Sequence, residues 1–232
     1  MRKKRNKADW ILIAGLTGIL GALFTFLSDM ILIGRPVSAH SFLKLGTESM
    51  ADLAYWRITS GTILGIIVLP FQIIGLSTVY HGLKPAAKAM RYVVVFLFAH
   101  ALIMGVAFHT SYAFIGSGWK LYYHMGSADL FASDIVKRFD FLWKVIVGII
   151  LVELLLSSIF YAIIILKRKT IYPKWMSIFN PICVLLFLYP FILVLPAPIG
   201  GYIAPGYFNL ATMLFFILST ASILKKFKAD FV

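Results

Sequence analysis

Four ionisable side chains stand inside stretches that are otherwise apolar: Asp29, His100, His109 and Glu153. A fifth, Arg57, stands at the edge of one. A charged group in the hydrocarbon core of a bilayer costs about 2.5–3.5 kcal/mol, so such groups face protein or water and mark functional candidates. Carboxylates and imidazoles at depth suit proton relays, because histidine titrates near neutral pH. They also suit the polar side of a ligand cavity. The spacing points away from a metal. His100 and His109 are nine residues apart, half a turn out of phase on a helix, and cannot grip one ion from a straight segment. The single cysteine, Cys183, excludes an intramolecular disulfide and a thiolate cluster. The sequence therefore calls for no metal and no cofactor.

These residues are carried by long apolar runs. The chain of 232 residues is 61% hydrophobic and 13% charged, with a mean hydropathy of +0.91. That is too apolar for a soluble domain. A bilayer-crossing helix needs about 20 apolar residues. Six segments qualify: 10–33, 58–80, 92–116, 141–166, 175–195 and 207–224. They predict an all-α fold, a polytopic transmembrane bundle of six spans in a single domain over 1–232. The first run follows a basic start and precedes Val37-Ser38-Ala39, as a signal peptide would. It is too long for one, and is read as an uncleaved first span.

Lys and Arg set the orientation. With the N-terminus inside, 15 fall on the inner side and 7 on the outer. This bias predicts both termini in the cytoplasm, in a bacterial cytoplasmic membrane. It also accounts for the net charge of +13 without nucleic acid, the basic clusters facing lipid headgroups instead.

Depth and periodicity group the ionisable residues. From the helical rise, Asp29 lies about 6 Å and His109 about 10 Å below the outer ends of their spans. Arg57 begins the second span on that side. Along the first span Gly15, Gly18, Ala22, Thr25 and Asp29 share a face. Arg57, Gly61, Gly65, Val68 and Gln72 share one on the second, and Gly105, His109, Tyr112 and Gly116 on the third. Small residues let membrane helices approach and polar ones bond across the contact. An outer layer of Asp29, Arg57 and His109 is therefore expected, with an Asp29–Arg57 ion pair. His100 and Glu153 form a deeper pair, with Ser157 nearby. Ser49–Asp52 and Ser133-Asp134 read as helix caps. The uncharged Pro/Gly-rich loop 196–206 reads as a lid.

Ser28, Asp29 and the histidines resemble, in residue type, the alkaline-ceramidase-like membrane hydrolases, which use Ser, Asp and three His around zinc. That family carries two close histidines on a late helix, and the last two spans here have none. The six spans, Ser28-Asp29, Asn180-Pro181 and the Pro/Gly-rich outer loop resemble bacterial six-span membrane proteins of unknown function, which supply no activity to transfer. The leading reading is a protein that binds a small apolar or lipid-like ligand, or a membrane partner, in a polar-floored cavity open to the outer side. A proton-coupled carrier and an intramembrane lipid hydrolase are the alternatives, and an enzyme is disfavoured. The partners expected are the bilayer, a lipid or small apolar ligand and further copies of the chain.

Overall fold

An apolar run in lipid must satisfy its backbone within itself, and helices do this residue by residue. The structure, a computed structural model, describes residues 2–126 and 130–229, and among these there are helices and no strands. They are α1 (Arg2–Ile33), α2 (Ala39–Phe42), α3 (Tyr55–Gly82), α4 (Lys88–Met125), α5 (Leu130–Lys167), α6 (Pro181–Leu193), α7 (Ile199–Ile203) and α8 (Tyr207–Ala229). Short 3-10 turns cover Thr47–Asp52, Lys174–Ile178 and Ala204–Gly206. Among the described residues five helices are long and apolar enough to cross a membrane.

The sixth expected span takes another form. Residues 175–195 do not make one helix. The 3-10 turn Lys174–Ile178 is followed by α6, which has only 13 residues. At 1.5 Å per residue that is about 20 Å, short of a ~30 Å core. Asn180 and Pro181 cause the break: the Asn180 side chain caps α6 by accepting from the Cys183 N–H, and Pro181 sits in its first turn. The stretch still runs the length of the bundle. Lys174 Nζ donates to the Ile165 and Leu166 carbonyls at the lower end of α5. At the upper end Gly201 exchanges backbone hydrogen bonds with Arg35 and Val37.

α1 is the centre. Its small-residue stripe is used as the spacing predicts. Gly18 meets Gly75 of α3 backbone to backbone, a Cβ at Gly18 falling 2.8 Å from the Gly75 Cα. Gly15 meets Thr220 of α8. α4 packs against α3 and α5. Below the middle, the rings of Phe98, Tyr161 and Phe215 close the gap between α4, α5 and α8, with Tyr161 5.5 Å from Phe215. Under them Tyr172, Thr78 and Ser219 form a buried hydrogen-bonded cluster. Burial pushes the Tyr172 phenol above its usual range, the bonds to Ser219 and Thr78 opposing.

α4 and α5 overrun their expected limits of 92–116 and 141–166. Each has 38 residues, about 57 Å of helix, and their outer ends pack beside the stretch 47–55. Gly116-Ser117-Gly118 does not stop α4. Its glycines serve contact, Gly118 against Phe139 of α5 and Gly116 against Ile58 and Met50. Ser133 and Asp134 consequently lie inside α5 rather than capping it, and Asp134 pairs with Arg138 one turn on. Residues 49–52 form a 3-10 turn, and α3 starts after Ala54 without a side-chain cap.

Candidate functional site

Arg57 departs furthest from expectation. It does not pair with Asp29. Its Nε donates to the Ile31 carbonyl (2.8 Å), and its Nη2 to those of Met30 (3.2 Å) and Gly34 (2.5 Å). These are acceptors at the end of α1, where the helix dipole also favours a cation; the Met30 carbonyl is shared with the Gly34 N–H. Asp29 lies one turn below and points the other way, into the bundle.

There it meets α8. Asn209 Nδ2 donates to Asp29 Oδ2 (2.7 Å). Gln72 Nε2 of α3 donates to Asn209 Oδ1 (3.2 Å) and to Thr25 Oγ1 (3.0 Å), and Thr25 Oγ1 donates to the Gly21 carbonyl (2.7 Å). His109 Nε2 of α4 lies 3.6 Å from Asp29 Oδ1, an ion-pair separation beyond hydrogen-bond length. Gly65 makes room for that ring, since a Cβ there would fall 2.1 Å from His109 Nδ1. One polar chain thus ties α1, α3, α4 and α8 together. Gln72 Oε1 and His109 Nδ1 are enclosed and have no hydrogen-bond partner among the described residues.

This chain is one wall of a cavity of about 590 Å³. Asp29, Gln72 and Asn209 line it from α1, α3 and α8, His109 reaches it from α4, and Tyr112 lies beside His109. The opposite wall is apolar in its deeper part, with Leu102 and Phe108 of α4 and Val147, Ile150, Leu151 and Leu154 of α5, and carries Asp140 and Lys144 of α5 at its outer end. From Asp140 to Leu154 the cavity follows α5 for about 21 Å. That exceeds half of a ~30 Å core, the depth of one leaflet.

The loop expected as a lid is not the roof. Residues 196–206 dock on 35–39 and contribute Ala204 and Pro205 to the lining. The roof is the stretch 42–50. Thr47 Oγ1 donates to Asp140 Oδ1 (2.8 Å) and Trp119 Nε1 donates to Thr47 Oγ1 (3.1 Å). Lys120 Nζ holds the Ala51 carbonyl (2.7 Å), and Arg35 that of Ser49. Burial lowers the Arg35 pKa, with Asp52 opposing and Arg57 adding.

His100 and Glu153 do meet, His100 Nδ1 lying 2.5 Å from Glu153 Oε1. Their pair is not among the cavity-lining residues, and 40% of the His100 side chain is exposed. Ser157 turns instead to the Leu154 carbonyl. The six ionisable or phenolic candidates thus divide three ways: Asp29, His109 and Tyr112 at the cavity, His100 with Glu153 outside it, and Arg57 on the end of α1. The sequence reading placed Gln72 and Thr25 on contact faces without giving them a role, and missed Asn209 altogether. An asparagine within an apolar run was the available signal. Among the described residues no group of three or more His, Cys, Asp or Glu is placed to hold a metal ion.

Helices of this length and composition, with a polar chain sealed inside, define an integral membrane protein of several spans. The chain belongs to a family of unknown function, DUF6796, whose model matches residues 1–226. No curated protein and no solved structure matches it.

Proposed function

We propose that the protein binds a small apolar or lipid-like molecule in the cavity beneath residues 42–50. The carrying observation is the cavity's two-sidedness: one leaflet deep, apolar along α5 from Val147 to Leu154 below a mouth at Asp140 and Lys144, and polar where Asp29, Gln72, Asn209 and His109 face it. Sites of this size with few convergent polar groups suit ligands that are mostly apolar with one polar end. Binding is favoured over proton-coupled carriage because His100–Glu153 and Asp29–His109 are separate groups, with no side-chain bond between them among the described residues. It is favoured over zinc-dependent hydrolysis because only His109 among the histidines lines the cavity.

The test is organic extraction and mass spectrometry of the purified protein. The wild type is expected to retain an apolar molecule above a protein-free micelle control. Gly105→Trp is expected to fall to that control. A Cβ at Gly105 meets only Leu69 side-chain carbons, at 3.4 Å, so the added ring projects into the cavity. Equal retention by the two proteins would remove the proposal.

We also infer that 174–203 completes a sixth, broken crossing and that both termini face the cytoplasm of a bacterial cell. The 15 to 7 bias of Lys and Arg supports this orientation. Cytoplasm-active reporters fused at each end should both be active, and activity at one end alone would sink the sixth crossing.

A further inference from the structure

A second feature lies at the lower end, far from the cavity, where α4 begins. Arg91 is only 9% exposed, and its Nε and Nη1 are enclosed without a hydrogen-bond partner among the described residues. Its Cζ rests 4.6 Å from the centre of the Tyr80 ring, and Tyr80 packs 5.3 Å from Tyr92. Lys84 Nζ lies 5.4 Å from the Tyr80 ring and Lys88 Nζ 5.5 Å from the Tyr92 ring. Neither Arg91 nor Lys88 has a carboxylate partner among the described residues. The first turn of α4 has no side-chain cap, and Ala87, Lys88 and Ala89 are exposed around it.

Three physical facts converge. A buried guanidinium with unmade hydrogen bonds is costly, and aromatic faces attract it without neutralising it. A helix start presents free N–H groups and partial positive charge, which together favour an anion. Tyrosines such as Tyr80 and Tyr92 sit at headgroup level in membrane proteins. We propose that the start of α4 binds a phosphate group, held by Arg91, Lys88 and the free N–H groups of that first turn, with Lys84 flanking it. The group is carried by an anionic phospholipid headgroup or is free phosphate. Arginine's planar fork matches phosphate oxygens in pairs, and the tyrosines hold the cations in place before the anion arrives.

The experiment uses the full chain in mixed micelles containing phosphatidylglycerol or phosphatidylcholine, read by native mass spectrometry and thermal melting. The wild type should retain phosphatidylglycerol preferentially and melt at a higher temperature with it. Arg91→Gln and Lys88→Gln should each weaken that preference, Arg91→Gln by about tenfold, the loss of one charge-assisted contact. Lys88 is exposed, so its variant decides the matter should Arg91→Gln fail to fold. Lys137→Gln, an exposed lysine on the outer part of α5, should change nothing. Inorganic phosphate that displaces phosphatidylglycerol identifies the phosphate group itself as what is recognised. Phosphate that stabilises the protein in phosphatidylcholine identifies the free ion as a sufficient ligand. Equal retention of the two lipids together with no response to phosphate would overturn the proposal. So would an unchanged preference in Lys88→Gln, or an equal loss in Lys137→Gln.

Discussion

Gly18→Leu will cost about 3 kcal/mol or more of stability, at the upper end of what overpacking does in a close-packed interior. The reason is what the new side chain meets. A Cβ at Gly18 falls 2.8 Å from the Cα of Gly75, and a Cβ at Gly75 falls 2.7 Å from the Cα of Gly18. A clashing side chain can change rotamer, but a backbone atom cannot. The helices must part, and α1 is the helix on which α3 and α8 both pack. Parting them also stretches the Gln72–Thr25 bond, which joins the same two helices. The comparison is Gly148→Leu in α5, where a Cβ has nothing within 4 Å and the effect should stay within about 0.5 kcal/mol. Reversible unfolding in mixed micelles reads both, and equal stabilities for the two variants would refute the close approach.

Asn209→Leu is expected to cost about 2–3 kcal/mol on the same measure. Asn209 is the joint of the polar chain, donating to Asp29 and accepting from Gln72. Leucine fills similar space and supplies neither bond, so the buried Asp29 carboxyl group loses its donor and the Gln72 amide keeps only Thr25. Asp29→Asn keeps an acceptor for Asn209 and should cost less. Asp29→Leu combined with Asn209→Leu should cost less than the sum of the two single changes, by about 1–2 kcal/mol of coupling. Additive losses would mean that Asp29 and Asn209 do not act as a pair.

The comparison of sequence with structure divides along a physical line. Periodicity read the contact faces well. Gly15, Gly18, Thr25 and Asp29 all point to partners on α3, α8 or α4, because in a helix the spacing of small residues is the geometry of the contact. Depth arithmetic also placed His100 opposite Glu153, since both lie on regular helices of known rise. What failed was the choice of partner. Opposite charge at equal depth suggested Asp29–Arg57, but depth carries no information about azimuth, and the free carbonyls of α1 took Arg57 instead. Asn209 was missed because α8 begins below the level of the upper helix ends, after α7 and its 3-10 turn fill the space above. The long end of α4 was hidden because Gly116 and Gly118 have the composition of a stop and the function of a contact, and that of α5 because Asp134, Lys137, Arg138 and Asp140 interrupt its apolar run without interrupting the helix.

Those long ends have a practical consequence. Most of a 26.0 kDa chain made of apolar helices disappears inside a detergent micelle or nanodisc, and leaves little shape by which to orient a particle image. The ends of α4 and α5 at 117–125 and 130–140 lie past the apolar runs of those helices and carry Lys120, Asp134, Lys137, Arg138 and Asp140. They are braced at the base by Gly118 against Phe139 and by Lys120 on the Ala51 carbonyl. They are therefore a built-in fiducial mark. A rigid helical fusion or an antibody fragment bound there would report the position of α5, and with it one whole wall of the cavity.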